Sequence, residues 1–166
     1  PTESMLAGAE SVPRDRLVEL LEEKHVLREL LWEHPVYSRR LGIGGRADLV
    51  AVTDRDTLVV VEAKLSPTSR RALRSRDMRL LVQLAAYAIA AEETLCLPLE
   101  ASYLYSVEAD KLYEARITPH LRSLVEHAAR ALREMLGKGE PPSNVVVPRR
   151  RCRVCAYRHT CPYSRA

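Results

Sequence analysis

Asp48, Glu62 and Lys64 are the residues whose types and spacing best support chemistry in this sequence. Glu62 and Lys64 stand two positions apart in a run of β-forming residues, so both side chains leave a strand on one face. A hairpin of Arg46–Thr53 with Leu58–Leu65, turning at Asp54-Arg55-Asp56-Thr57, brings Asp48 beside Glu62. Two carboxylates converging on a covered sheet surface repel each other and are costly to ionise. A divalent cation removes that cost, and hard oxygen donors suit magnesium or manganese. The Ala63 carbonyl is a candidate backbone ligand. Lys64 is a candidate to orient an attacking water or to stabilise charge on a phosphate. A solvated Glu-x-Lys ion pair, worth little energy, competes with this account. The setting weighs against it, because the pair ends Leu58-Val59-Val60-Val61, a continuous apolar run that reads as a central strand covered on both faces.

Gln83 and Tyr87 are four apart on the helix expected next, hence on one face. The Gln83 amide can bond a carboxylate ligand or a phosphate-bound water, and the Tyr87 hydroxyl can bond phosphate. Taken alone, the pair reads better as a core tyrosine and a rim glutamine. Cys152, Cys155 and Cys161 form a C-x2-C-x5-C pattern within the last fifteen residues. Soft thiolates at that density select zinc or an iron–sulfur cluster. His159 lies inside the pattern, so a Cys3His zinc site is one outcome; a cubane cluster needs a fourth cysteine from elsewhere. Cys96, the remaining cysteine, reads as a buried small hydrophobe.

The elements that must position these groups follow from periodicity. Pro13–Trp32 reads as a helix on Leu17, Leu20, Leu21, Leu27 and Leu31, stopped by Pro35. Val36–Leu41 reads as a first strand, and Gly42, Gly44 and Gly45 as a tight turn into the hairpin. Ser66–Arg76 is a basic connection, and Asp77 caps a helix to about Thr94. Ala101–Val107 and Leu112–Ile117 alternate as a second hairpin. Thr118-Pro119 then opens a helix reaching Gly137. Helix, three strands, helix, two strands, helix is an α/β order with a mixed sheet. The composition breaks at Glu140–Asn144, which divides the chain into residues 1–140 and a cysteine-rich segment, 141–166, expected to sit on the same domain.

The chain has 166 residues, of which 46% are hydrophobic and 29% charged, a globular and not a disordered composition. No apolar run approaches the length of a membrane helix. Residues 1–10 carry two acids and no basic cluster, so a cytoplasmic location is expected over a secreted one. Net charge is only +4, but the bases are unevenly placed. Arg70, Arg71, Arg74, Arg76 and Arg79 precede and open the Gln83 helix. Arg149, Arg150, Arg151, Arg153, Arg158 and Arg165 follow the last acid, Glu140. Two such runs flanking a metal site make a channel for a phosphodiester strand, with Tyr157 and Tyr163 as candidates to stack on bases. Scarce Asn and Gln fit a thermophile, although genome composition alone can bias a chain toward arginine.

Gly45-Arg46-Ala47-Asp48, Glu62-Ala63-Lys64 and Gln83-Leu84-Ala85-Ala86-Tyr87 together resemble the RecB-type branch of the PD-(D/E)xK nuclease superfamily. With C-x2-C-x5-C behind them, they resemble the CRISPR-associated RecB-like exonucleases, the Cas-four family, from about Gly42 to Cys161. The resemblance implies a nuclease core with a mixed central sheet flanked by helices, and a cysteine-ligated cluster tail. It implies an exonuclease using Mn2+ or Mg2+ on single-stranded DNA ends, processing prespacers alongside the CRISPR integrase. Asp48 and Glu62 would then be metal ligands, Lys64 the catalytic lysine, and Gln83 and Tyr87 the supporting motif. Cys152, Cys155 and Cys161 would hold a [4Fe-4S] cluster, with a fourth cysteine expected upstream of Pro1. The family also carries a metal-binding histidine on or before the first helix. The segment Glu10–Arg14 has none, and His25 and His34 are the weaker substitutes. Two other readings stay open: a non-catalytic DNA- or integrase-binding assembly subunit, and a repair nuclease outside CRISPR.

Overall fold

The structure is a computed structural model that describes residues 12–64, 78–139 and 147–165. Its elements are helix α1 (Arg14–Glu22), strands β1 (Leu27–Ser38), β2 (Ile43–Thr53) and β3 (Leu58–Lys64), helix α2 (Met78–Leu95), strands β4 (Leu99–Ser106) and β5 (Lys111–Glu114), and helices α3 (Pro119–Lys138) and α4 (Arg149–Arg153). The chain divides into two compact units, Pro1–Ala129 and Arg130–Ala166. Among the described residues no helix is long and apolar enough to cross a membrane.

In the first unit one sheet runs β1-β2-β3-β4-β5. It is antiparallel except between β3 and β4, so it is a mixed sheet. β3 is the central strand, and Leu58, Val59, Val60 and Val61 are all 0% exposed. Burying each of them fully is worth about 1.5–3 kcal/mol. Leu58 and Val60 meet Leu84, Ala88 and Ala91 of α2 on one face. Val59 and Val61 meet Leu17 and Leu21 of α1 on the other. The start of α3 covers α2 from outside through Leu121, Val125 and Ala129. Its N-terminus is capped as the sequence predicts: Thr118 Oγ1 accepts the Leu121 N–H at 3.2 Å, ahead of Pro119.

The first helix is the main correction. It ends at Glu22, and Leu27, Leu31 and Trp32 belong to β1, which runs on through Pro35 to Ser38. The apolar residues of 27–32 serve two faces. Leu31 packs toward α2, while Leu30 and Trp32 pack toward α1. A short apolar run of this kind suits a helix and a two-sided strand equally, and pairing with β2 decides. Pro35 is tolerated because β1 is an edge strand. The turn also moves. Gly44 and Gly45 are inside β2, and the chain reverses at residues 39–42, where Gly42 takes φ 61°. The second hairpin is tighter than its sequence suggests, since β5 stops at Glu114. Cys96 is exposed, not buried; it ends α2 at φ 55°, a surface position that packing does not reach.

Two irregularities shape one end of the sheet. Leu31 and Val36 are five positions apart yet pack on the same face, which a regular strand forbids. Ala47 and Leu49 are two apart yet serve opposite faces. Each strand therefore kinks at one level, β1 near Glu33, whose φ is 48°, and β2 at Asp48. The register of β1 with β2 is unbroken across the kink, from Trp32↔Leu49 to His34↔Ala47.

Candidate active site

The kink opens β2 from β3. Their ladder ends at Leu49↔Val61. One residue further, the Asp48 carboxylate replaces the backbone partner, and Oδ2 accepts the Ala63 N–H at 2.7 Å. Glu62 falls on the α2 face, following Leu58 and Val60 at period two. It is only 3% exposed. Its Oε1 accepts hydrogen bonds from the Lys64 ammonium and from Gln83 Nε2, the latter at 2.8 Å. Its Oε2 is buried and has no partner among the described residues. Gln83 Nε2 also lies 3.4 Å from the Tyr87 hydroxyl. The structure thus brings Asp48, Glu62, Ala63, Lys64, Gln83 and Tyr87 together. α2 contributes two of them because residues four apart share a helix face.

Electrostatics mark Glu62 as the unusual member. Burial pushes its carboxyl above the usual carboxylate range. The Lys64 hydrogen bond opposes this, and the charges of Asp48 and Glu33 reinforce it. A buried carboxylate with one orphaned oxygen beside a second carboxylate is a donor set that fits a hard divalent cation. Among the described residues, no three His, Cys, Asp or Glu side chains close into a metal-binding group. Two carboxylates meet here.

Gly45 explains why Tyr87 can sit where it does. A Cβ at Gly45 would lie 2.7 Å from Tyr87 Cε1, well inside contact distance. Its place three residues before Asp48 is legible in the sequence; the ring it admits is not.

The whole chain matches known nucleases. Residues 3–162 match the family model of the PD-(D/E)XK nuclease superfamily. A curated CRISPR-associated exonuclease Cas4 from Aeropyrum pernix is 36% identical over 164 residues, covering 97% of this chain and 80% of the relative. The chain belongs to the PD-(D/E)XK nuclease superfamily, in the family of CRISPR-associated Cas4 exonucleases. The crystal structure of SSO0001 aligns over 97% of this chain and 71% of that one, with a TM-score of 0.52 at 18% identity, a likeness of fold alone.

Within this Cas4-family chain, His25 lies apart from the carboxylates. His25 Nδ1 is hydrogen-bonded to Glu100 Oε1 at 2.9 Å and its Nε2 to the Tyr103 hydroxyl at 2.8 Å. Thr57 donates to the other oxygen of Glu100, and that bond is the main cause holding the Glu100 carboxyl below its ordinary range. Glu100 follows Leu99, the partner of Leu58, whereas Glu62 pairs with Leu104. His25 is thus held between Glu100, near the Leu58 end of β3, and Tyr103, which packs on the α1 face of the sheet, whereas Glu62 lies on the α2 face. Both ring nitrogens of His25 are engaged there, so His25 is a structural residue. His34 sits in β1 opposite Ala47.

In the second unit, α4 carries Cys152, which is buried. Cys155 and Cys161 follow on turns, with the Cys155 N–H donating to the Cys152 carbonyl at 3.2 Å and the Cys161 N–H to the Tyr157 carbonyl at 2.9 Å. All three are free thiols. The structure does not show them converged on a cluster. His159 Nε2 accepts a hydrogen bond from Arg158 Nε at 2.9 Å. Arg149, Arg150, Arg151, Arg153, Arg158 and Arg165 are exposed, as is Tyr157; Tyr163 is half-buried. Of the other basic run, Arg79 opens α2, while Arg70, Arg71, Arg74 and Arg76, and the helix cap Asp77, lie outside the described residues.

Proposed function

We propose that this Cas4-family nuclease is a metal-dependent deoxyribonuclease that trims single-stranded DNA ends during CRISPR adaptation, processing prespacers for the integrase in the cytoplasm. The observation that carries the reading is Glu62: buried, unpartnered at Oε2 among the described residues, and level with Asp48. Such an arrangement is costly without a cation and useful with one. Asp48 and Glu62 would hold Mn2+ or Mg2+, with the Ala63 carbonyl as a backbone donor. The bound ion supplies Lewis-acid polarisation of the phosphate and a water that ionises near neutral pH. Gln83 holds Oε1 of Glu62, while Oε2, without a partner among the described residues, would be available to the ion. Lys64 also donates to Oε1 and is placed to pass its charge to the incoming phosphate or to orient the attacking water. The Tyr87 hydroxyl, next to Gln83, offers a further donor to phosphate.

The nuclease part is assigned to residues 1–140. The segment 141–166 is assigned to a [4Fe-4S] cluster on Cys152, Cys155 and Cys161, with a fourth ligand from outside the described residues. The exposed arginines around those cysteines supply sequence-independent affinity for a phosphate backbone. End-labelled single-stranded DNA and a Mn2+ titration test the reading. The wild-type chain should shorten the strand, and Glu62→Ala and Lys64→Ala should not, with unchanged far-UV circular dichroism. Cleavage by the purified double variant refutes the residue assignment. No wild-type cleavage at any Mn2+ concentration favours the assembly-subunit reading.

A further inference from the structure

We propose that Glu33 is a third carboxylate of this site, one that holds the water shell of the cation from β1 while Asp48 and Glu62 bind the ion from β2 and β3. The inference rests on the cation-site reading above and adds a residue that no motif of the sequence marks.

Three observations carry it. The first is level. Trp32↔Leu49 and His34↔Ala47 put Glu33 directly across from Asp48, and Asp48 stands one residue past Leu49↔Val61, beside Glu62. Three adjacent strands therefore each place an acid in one row across the sheet. The second is backbone. Glu33 takes φ 48°, the left-handed region that glycine or asparagine fills at lower cost. A long acidic side chain persists at such a position when the surroundings require it, and such positions gather at functional sites. The kink also turns the strand just where the acids align. The third is the orphaned oxygen. Glu62 Oε2 is buried without a donor among the described residues, and the charge of Glu33 reaches Glu62 and adds to the repulsion there. Among the described residues the Lys64 ammonium is the cation bonded to Glu62, and it is spent on Oε1.

Glu33 is exposed, whereas Glu62 is not. The described side chains also contain no closed three-ligand group. Both facts give Glu33 an outer role, through a water of the ion, in the manner of magnesium and manganese sites that keep several waters. From that position its charge also attracts the cation to the mouth of the site.

The test is Mn2+ affinity of the full chain by isothermal titration, with unfolding midpoints in EDTA as the control for folding. Glu33→Gln should weaken Mn2+ binding about tenfold, the scale of losing an outer carboxylate. Glu33→Asp should recover most of that loss. Asp48→Asn should weaken binding at least as much as Glu33→Gln. Glu33→Gln and Glu33→Gly should melt in EDTA at or above the wild-type midpoint, since each removes an acid from the row and the glycine also relaxes the backbone. Unchanged Mn2+ affinity in Glu33→Gln, with loss in Asp48→Asn, overturns the role of Glu33 and leaves the site standing. Equal affinity in the wild type and Asp48→Asn overturns the cation site itself. A lowered EDTA midpoint in both Glu33→Gln and Glu33→Gly makes Glu33 a structural residue and overturns the proposal.

Discussion

Replacing Glu62 with glutamine should make the metal-free protein more stable and its metal-bound form less so. The side chain is 3% exposed, and Oε2 has no donor among the described residues. Its carboxyl titrates above the ordinary range chiefly through burial. A carboxyl with a raised folded-state pKa binds its proton more tightly in the native protein than in the unfolded chain. Its neutral form therefore contributes fully below the unfolded pKa, near 4.5. That contribution is lost as pH rises through the folded-state value. At pH 8 the buried anion is a liability. An orphaned buried polar atom costs about 1–3 kcal/mol, and more if charged. Lys64, 28% exposed and bonded to Oε1, offsets part of this. Glutamine keeps the shape and still accepts from Gln83, so the gain at pH 8 should be about 1–2 kcal/mol. For a chain of this length that raises the unfolding midpoint by about 2–8 °C. Differential scanning fluorimetry in EDTA at pH 8 and pH 4 measures it. The gain should shrink at pH 4, where the wild-type carboxyl is protonated in both states. Added Mn2+ should raise the wild-type midpoint and leave Glu62→Gln unmoved. A lower midpoint for Glu62→Gln at pH 8, or a gain of equal size at both pH values, would show that Glu62 is not a destabilised buried anion.

Gly45→Ala places a carbon 2.7 Å from Tyr87 Cε1. The ring must swing from Gln83, and DNA cleavage should fall about 10–100-fold; unchanged kcat would show that the Tyr87 position is unimportant. His25→Ala removes two hydrogen bonds, to Glu100 and Tyr103. It should cost about 2 kcal/mol in urea unfolding and leave Mn2+ affinity unchanged, whereas a loss of affinity would place His25 at the metal. Anaerobically purified chain carrying an upstream cysteine should contain iron and sulfide and absorb visible light, and Cys155→Ser should abolish both. Colourless protein with zinc at the same cysteines would replace the cluster by a Cys3His site.

Local spacing made much of the site legible. Period two sets Glu62 and Lys64 on one strand face, period 3.6 sets Gln83 and Tyr87 on one helix face, and both hold in the structure. The polar turn at residues 54–57 joins β2 to β3 as expected, and Thr118-Pro119 starts α3. The order of helices and strands is as the sequence predicts as far as α3, and the short α4 is additional. These features depend on neighbours within a few residues, which a sequence records directly. The strand identity of Leu27–Trp32 did not, because six apolar-rich residues fit either periodicity and only pairing with Leu49–Thr53 selects β1. The paired kink followed from that assignment. It lifts Asp48 to the Ala63 N–H and sets Glu33 in line with Asp48. His25 met Glu100 and Tyr103 across 75 and 78 residues of sequence, and the Gly45–Tyr87 approach joins a strand to a helix. Contacts of that range depend on how sheet register and helix docking are resolved together. The residue types therefore announced the chemistry, while tertiary packing decided which acid was buried, which oxygen was left unpartnered and which histidine was spent on structure.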